Sequence, residues 1–183
     1  MAANHRRMKT DRIKEEVYSL WFMPKGQIAD DLQALIIELS RRYSTPKFQP
    51  HVTLIGALAL PPAETIDKIK DLAALLKPFT IRMKEVTYLN EYFRCLFIKA
   101  ARTEALIHAH STANKVFKQD GSEYMPHLSL VYGDLETDTK QEIIREIDKG
   151  INIEFLAKEI YLYNTAGNPE EWYCLLETAL RGS

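Results

Sequence analysis

A six-residue phrase occurs twice in this chain, as Pro50-His51-Val52-Thr53-Leu54-Ile55 and as Pro126-His127-Leu128-Ser129-Leu130-Val131, with every position identical or conservatively replaced. Both copies are rich in β-formers, open on a proline and run into a glycine, Gly56 or Gly133. Each reads as a strand, with proline where the ladder is only beginning and a missing donor is tolerated. A single His-x-Thr carries almost no information. Two matched copies restrict the fold to one built from two related halves.

Side chains along a strand alternate faces, and residues two apart lie about 7 Å apart on the same side. His51 therefore shares a face with Thr53, and His127 with Ser129, while Val52, Leu54, Leu128 and Leu130 form a buried layer on the other side. An approximate two-fold axis between the halves brings two imidazoles and two hydroxyls to one cleft. Imidazoles with ordinary pKa values near 6.5 can divide general acid and base duty around neutral pH. Hydroxyl donors stabilise the non-bridging oxygens of a phosphate as charge builds on them. Opening a 2',3'-cyclic phosphate needs an in-line water and a protonated leaving oxygen, and in principle no alcohol nucleophile and no metal. The plainer alternative, two strand-leading histidines bonded to nearby backbone, leaves the matched hydroxyls unexplained.

The remaining periodicity places the two phrases in an α+β order. Residues 17–23 read as a strand ending at Pro24, followed by helical spacing from Ile28 to Tyr43. After the first phrase, Pro61 and Pro62 open a second helix through Leu76. Two β-rich segments, 79–89 and 92–100, separated by Asn90 and Glu91, predict an antiparallel hairpin. A helix over 103–118, the loop QDGSEY, the second phrase and a helix ending by Gly150 follow. Strands at 153–163 and 172–179 close the chain. Helices alternating with hairpins argue for antiparallel sheets rather than a doubly wound parallel fold. Residues 1–15 are charged and aperiodic and read as a mobile tail, with 16–183 as one domain.

Composition removes several function classes. Lys and Arg number 24 against 25 Asp and Glu, a net charge of -1, so nothing global recommends a long polyanion. No run approaches a membrane span and the N-terminus lacks a secretory core, which predicts an intracellular protein without a membrane partner. Cys95 and Cys174 lack metal or redox spacing; they read as buried free thiols, with a single disulfide left open. His108 and His110, two apart on a helix, make a poor metal pair, and His5 receives no role. Most basic residues, among them Arg41, Arg42, Lys47, Lys84, Arg94 and Arg102, read as solvated surface, with one or two lining the approach to the cleft. Gly121 and Ser122, just before the second phrase, read as a connecting or substrate-contacting loop.

The paired H-x-[TS]-x motifs, with YSLWFMPKG, NEYFRCLF and MPHLSLVYGDL around them, resemble the two-histidine (2H) phosphoesterase superfamily. The nearer likeness is to its cyclic phosphodiesterase branch of plant and fungal enzymes. The resemblance implies a bilobal fold in which two antiparallel sheets face a central cleft, with helices outside and pseudo-two-fold related halves. It implies His51 and His127 as the catalytic pair, with His127 the base and His51 the acid, an ordering that symmetric sites can exchange. Thr53 and Ser129 would bind phosphate, and Trp21, Phe93 and Tyr132 would flank the substrate. No metal or cofactor is implied. The implied activity is hydrolysis of ADP-ribose 1'',2''-cyclic phosphate or of nucleoside 2',3'-cyclic phosphates to 2'-phosphates, in tRNA splicing and RNA end metabolism. The expected setting is a monomer in the cytoplasm or also the nucleus. Processing of 2',3'-cyclic or 2'-5' ends on longer RNA, and a noncatalytic nucleotide-binding module, are the alternatives.

Overall fold

The computed structural model describes residues 17–60, 62–120, 123–147 and 152–182. The expected tail and the loop residues Gly121 and Ser122 lie outside the described residues. In chain order the elements are β1 (Tyr18–Phe22), α1 (Gln27–Tyr43), β2 (Val52–Leu58), α2 (Pro62–Leu75), β3 (Phe79–Thr87), β4 (Leu96–Ala100), α3 (Glu104–Phe117), β5 (His127–Val131), α4 (Thr137–Ile147), β6 (Glu154–Ala157), β7 (Glu159–Asn164) and β8 (Tyr173–Ala179).

The strands run in the order β6-β3-β4-β5-β2-β1-β7-β8, and every neighbouring pair is antiparallel. The order divides into two four-stranded halves that meet at β2 and β5, the strands carrying the repeated phrase. They meet at a single register pair, Val52 opposite Leu128. An approximate two-fold axis through that pair exchanges His51 with His127 and Thr53 with Ser129. The relation extends one strand outward, where Thr53 lies opposite Trp21 and Ser129 opposite Phe97.

Burial explains why the halves stay together. On one face, Leu20 and Phe22 of β1, Val52 and Leu54 of β2, Ile98 of β4 and Leu128 and Leu130 of β5 belong to one large apolar cluster with Ile36 of α1, Leu72 of α2, Leu106 of α3 and Ile143 of α4. Helix α1 packs against β5 and α3 against β2, so each half contributes a helix to the other half's inner strand. Helix α3 starts where the Thr103 hydroxyl accepts the Leu106 N–H, and it ends at Lys118 in a left-handed conformation. On the opposite face Trp21, Tyr161 and Tyr163 form a smaller aromatic cluster.

Three expectations change in detail. The segment 153–163 is two strands, not one: β6 pairs with β3 in one half and β7 with β1 in the other. Phe155 and Ala157 are buried two apart, but the next core residue, Ile160, lies three further on, so the two-residue period slips at Lys158 and the chain changes partners there. The strand expected from Tyr92 begins only at Leu96, because Tyr92–Arg94 forms a 3₁₀ turn. Arg94 N–H donates to the Glu91 carbonyl, Leu89 N–H to the Arg94 carbonyl and Gly133 N–H to the Tyr92 carbonyl. The buried Lys140 ammonium of α4 donates to Asn90 Oδ1 at 2.9 Å and to the Leu89 carbonyl at 3.4 Å, fastening the same connection. Both thiols are free, with Cys95 buried and Cys174 exposed on edge strand β8 instead of buried as expected.

Candidate active site

Each phrase folds its histidine in the same way. The His51 Nδ1–H donates to the Gln49 carbonyl at 2.6 Å, and the His127 Nδ1–H to the Met125 carbonyl at 2.8 Å, both two residues back along the chain. With Nδ1 carrying the proton, each neutral ring presents an unprotonated Nε2. Both rings line one cleft of about 540 Å³, together with Thr53, Trp21, Phe93, Arg94, Tyr132 and Trp172. That is the size range of a small-ligand site.

The surroundings of the two rings are unequal. His51 is buried, at 5% exposure, and lies flat on Trp21 with ring centroids 3.5 Å apart and planes 8° apart. His127 is half-buried and meets the Phe97 ring at 5.0 Å and 62°. Burial pushes the His51 pKa down to about 3, against the opposing bond to the Gln49 carbonyl, and a neighbouring His127 charge lowers it further. His127 is also held below its ordinary value, mainly by burial, with Arg94 adding to the depression and the Met125 carbonyl and Glu91 working against it. At neutral pH both imidazoles are therefore neutral.

The hydroxyls differ as well. Thr53 lines the cleft, and its backbone carbonyl accepts the Tyr124 hydroxyl at 2.9 Å. Ser129 is buried and its hydroxyl donates to the Phe93 carbonyl at 3.1 Å, so its proton is already engaged. Phe93 rides on the 3₁₀ turn and is 54% exposed. Tyr132, expected to flank the substrate, lines the cleft although it is buried; its ring stacks on Phe48 at 3.9 Å and its hydroxyl lies 3.4 Å from His51 Nε2. Trp21 lines the cleft as well, with its ring faces covered. One of its faces carries His51 and Tyr163 stacks on it as well, at 3.9 Å and 22°, so with 2% exposure it is poorly placed to stack a substrate base.

The matched halves and the paired histidines indicate a family, and comparison with known proteins names it. The model of the 2'-5' RNA ligase superfamily matches residues 24–169. This chain belongs to that superfamily. Among its relatives, the Arabidopsis thaliana protein named cyclic phosphodiesterase is 27% identical over 132 residues, 72% of this chain and 73% of the relative. Among solved structures, TT0787 of Thermus thermophilus has a TM-score of 0.63 at 16% identity, covering 91% of this chain and 98% of that one. Escherichia coli LigT complexed with 3'-AMP has a TM-score of 0.57 at 14% identity, with coverage of 91% and 98%. These likenesses establish the 2H phosphoesterase fold with its two sheet halves about a cleft.

The sequence reading named four motif side chains in this 2H phosphoesterase; His51, Thr53 and His127 line the cleft, while Ser129 is buried and is not among the residues that line it. The reading missed Trp172, which lines the cleft 6.2 Å from Phe93 with planes 28° apart, and Phe97, the symmetry counterpart of Trp21. Trp172 follows a loop and carries no periodicity, so only tertiary structure reveals it. The position of Phe97 was legible in principle from the β4–β5 register. His110 has a structural role: Nδ1–H donates to the Leu54 carbonyl at 2.8 Å, Nε2 receives the Asn114 amide at 3.0 Å, and the ring stacks on Tyr124 at 3.9 Å. Among the described residues no group of three His, Cys, Asp or Glu side chains is arranged to hold a metal ion. No helix among them is long and apolar enough to cross a membrane.

Proposed function

We propose that this phosphoesterase hydrolyses a small cyclic phosphodiester, a nucleoside 2',3'-cyclic phosphate or ADP-ribose 1'',2''-cyclic phosphate, to a phosphomonoester without a metal. The observation that carries this reading is the pair of Nδ1-anchored imidazoles lining one cleft with Thr53, Ser129 lying buried two residues beyond His127. Water attacks phosphorus and gives its proton to one Nε2. The bond from phosphorus to the ring oxygen breaks, and that oxygen takes a proton from the other imidazolium. Thr53 Oγ1 donates to a non-bridging oxygen; Ser129 does so after turning its hydroxyl from the Phe93 carbonyl.

The unequal burial supports His127 as base and His51 as acid. The half-buried His127 is the ring that water reaches. An imidazolium at His51, disfavoured by burial and formed beside the substrate's negative charge, is the stronger proton donor. The name of the Arabidopsis relative and the complex of LigT with 3'-AMP agree in chemical class with a cyclic nucleotide substrate and a nucleotide product.

A second reading, processing of cyclic or 2'-5' ends on longer RNA, draws on one feature. A cavity of about 650 Å³ lined by Arg102, Lys115 and Lys118, and also by Asp120 and Glu123, adjoins the cleft and shares His110, Asn114, Tyr124 and both carboxylates with it. The deciding assay offers the protein, in EDTA, a 2',3'-cyclic mononucleotide, ADP-ribose cyclic phosphate and a cyclic-phosphate-ended oligonucleotide. Turnover of the first two at rates above the third is the expected result. Turnover of none removes the enzymatic reading, and activity abolished by EDTA removes the metal-free mechanism.

A further inference from the structure

The two related histidines do not have related aromatic neighbours. His51 lies parallel to the Trp21 indole at 3.5 Å, and Tyr163 stacks on Trp21 at 3.9 Å, giving a ring column of His51, Trp21 and Tyr163. At the symmetry-related place Phe97 meets His127 at 5.0 Å and 62°, without a parallel face. A flat indole face attracts a cation through its quadrupole, and tryptophan does so best among aromatic side chains. The strand register maintains the column, since Trp21 lies opposite Thr53 of β2 on one side and Tyr161 of β7 on the other. Phe48 meets the His51 ring edgewise at 6.4 Å.

We propose that Trp21, backed by Tyr163, is a positioning residue that acts through His51, holding the ring in register with the cleft and stabilising the imidazolium formed during turnover. The proposal rests on the function proposed above, and it explains how a site that strongly disfavours charge still supports one protonated state. Asp120, Glu123 and Arg94 line the same cleft, but none of the groups bonded to His51 or stacked on it carries a negative charge. The Gln49 carbonyl binds Nδ1–H, the Tyr132 hydroxyl lies 3.4 Å from Nε2 with its pKa raised by burial, and His127 across the cleft opposes a second positive charge. Tyr163, behind the indole, has its pKa pushed up to about 12 by burial and stays neutral. The indole face is thus the neighbour that favours the cationic ring besides the backbone carbonyl.

The test weakens the face without altering its shape. The chain contains two tryptophans, Trp21 and Trp172. In a Trp172→Phe background, mono- to trifluorinated tryptophan therefore enters only position 21. Two readouts are compared along the series: the His51 titration by imidazole ¹⁵N shifts with inorganic phosphate present, and the pH profile of kcat on 2',3'-cyclic AMP. The His51 pKa and the acid limb of kcat should fall steadily with fluorination, by a total of about half a unit to one unit, with KM changing little. In the otherwise native protein, Trp21→Leu should lower kcat at least about tenfold with KM within about threefold, and Trp21→Phe should recover most of the loss. A His51 titration unmoved by fluorination, with turnover intact, overturns this inference alone. Absence of turnover in the unsubstituted protein overturns the reading beneath it.

Discussion

Acidification should unfold this protein through His51, and the size of the effect follows from its burial. His51 is 5% exposed and its folded-state pKa is pushed down to about 3, whereas in the unfolded chain it titrates near 6.5. Below pH 6.5 the unfolded chain binds a proton that the folded protein refuses. The stability present above pH 6.5 is therefore lost progressively as pH falls towards 3. The slope is about 1.4 kcal/mol per pH unit, so moving from pH 6.5 to 4.5 costs about 3 kcal/mol from this residue. That is a large share of the roughly 5–15 kcal/mol by which domains are stable. In His51→Asn, the amide can replace the Nδ1–H bond to the Gln49 carbonyl and does not titrate. Urea denaturation of both proteins at the two pH values isolates the effect, because titrations shared by the proteins cancel in the difference. The native protein should lose about 3 kcal/mol more than the variant. Equal losses would refute the claim that the folded cleft holds His51 neutral.

Four further outcomes follow from particular contacts. Thr53→Ala and Ser129→Ala should each reduce kcat/KM on 2',3'-cyclic AMP, with Thr53→Ala costing about 1–3 kcal/mol and Ser129→Ala less, because the serine proton already serves the Phe93 carbonyl; steady-state kinetics measures both. Lys140→Ala should cost about 2–3 kcal/mol in chemical denaturation, since it removes a buried ammonium bound to Asn90 and the Leu89 carbonyl. The same variant should raise KM through a loosened Phe93 turn. Thr103→Ala removes the N-cap of α3 and should cost about 1 kcal/mol, read as a lower Tm, without changing kcat.

The repeated phrase made the centre of the molecule legible because it encodes face, strand and symmetry together. From two prolines, two histidines and two hydroxyls followed two related halves and a shared cleft, which His51, Thr53 and His127 line; that the two phrase strands pair directly was not legible in them. Strand periodicity cannot show what lies on the next strand. The resemblance set Trp21 beside the substrate, and only the register against Thr53 and the stacking of His51 and Tyr163 show that its ring lies against His51. Tyr132 does line the cleft, but its burial under Phe48, from the loop before β2, depends on a contact that its position after the second phrase does not encode. The change of partner at Lys158 was legible only as a slip in the spacing of buried residues. Trp172 and the 3₁₀ turn at Tyr92–Arg94 depend on contacts between segments far apart in sequence, for which local pattern has no signal.

The central claim is that His51 and His127 act as one unit on a cyclic phosphodiester. Its most direct test is the steady-state hydrolysis of 2',3'-cyclic AMP, in EDTA, by the native protein, His51→Ala, His127→Ala and the double variant. Removing either partner of an acid–base pair disables the other, so each single variant should lose at least about a thousandfold in kcat and the double variant little more. Either single variant retaining more than about a tenth of the native rate, or losses that multiply in the double variant, would contradict the account.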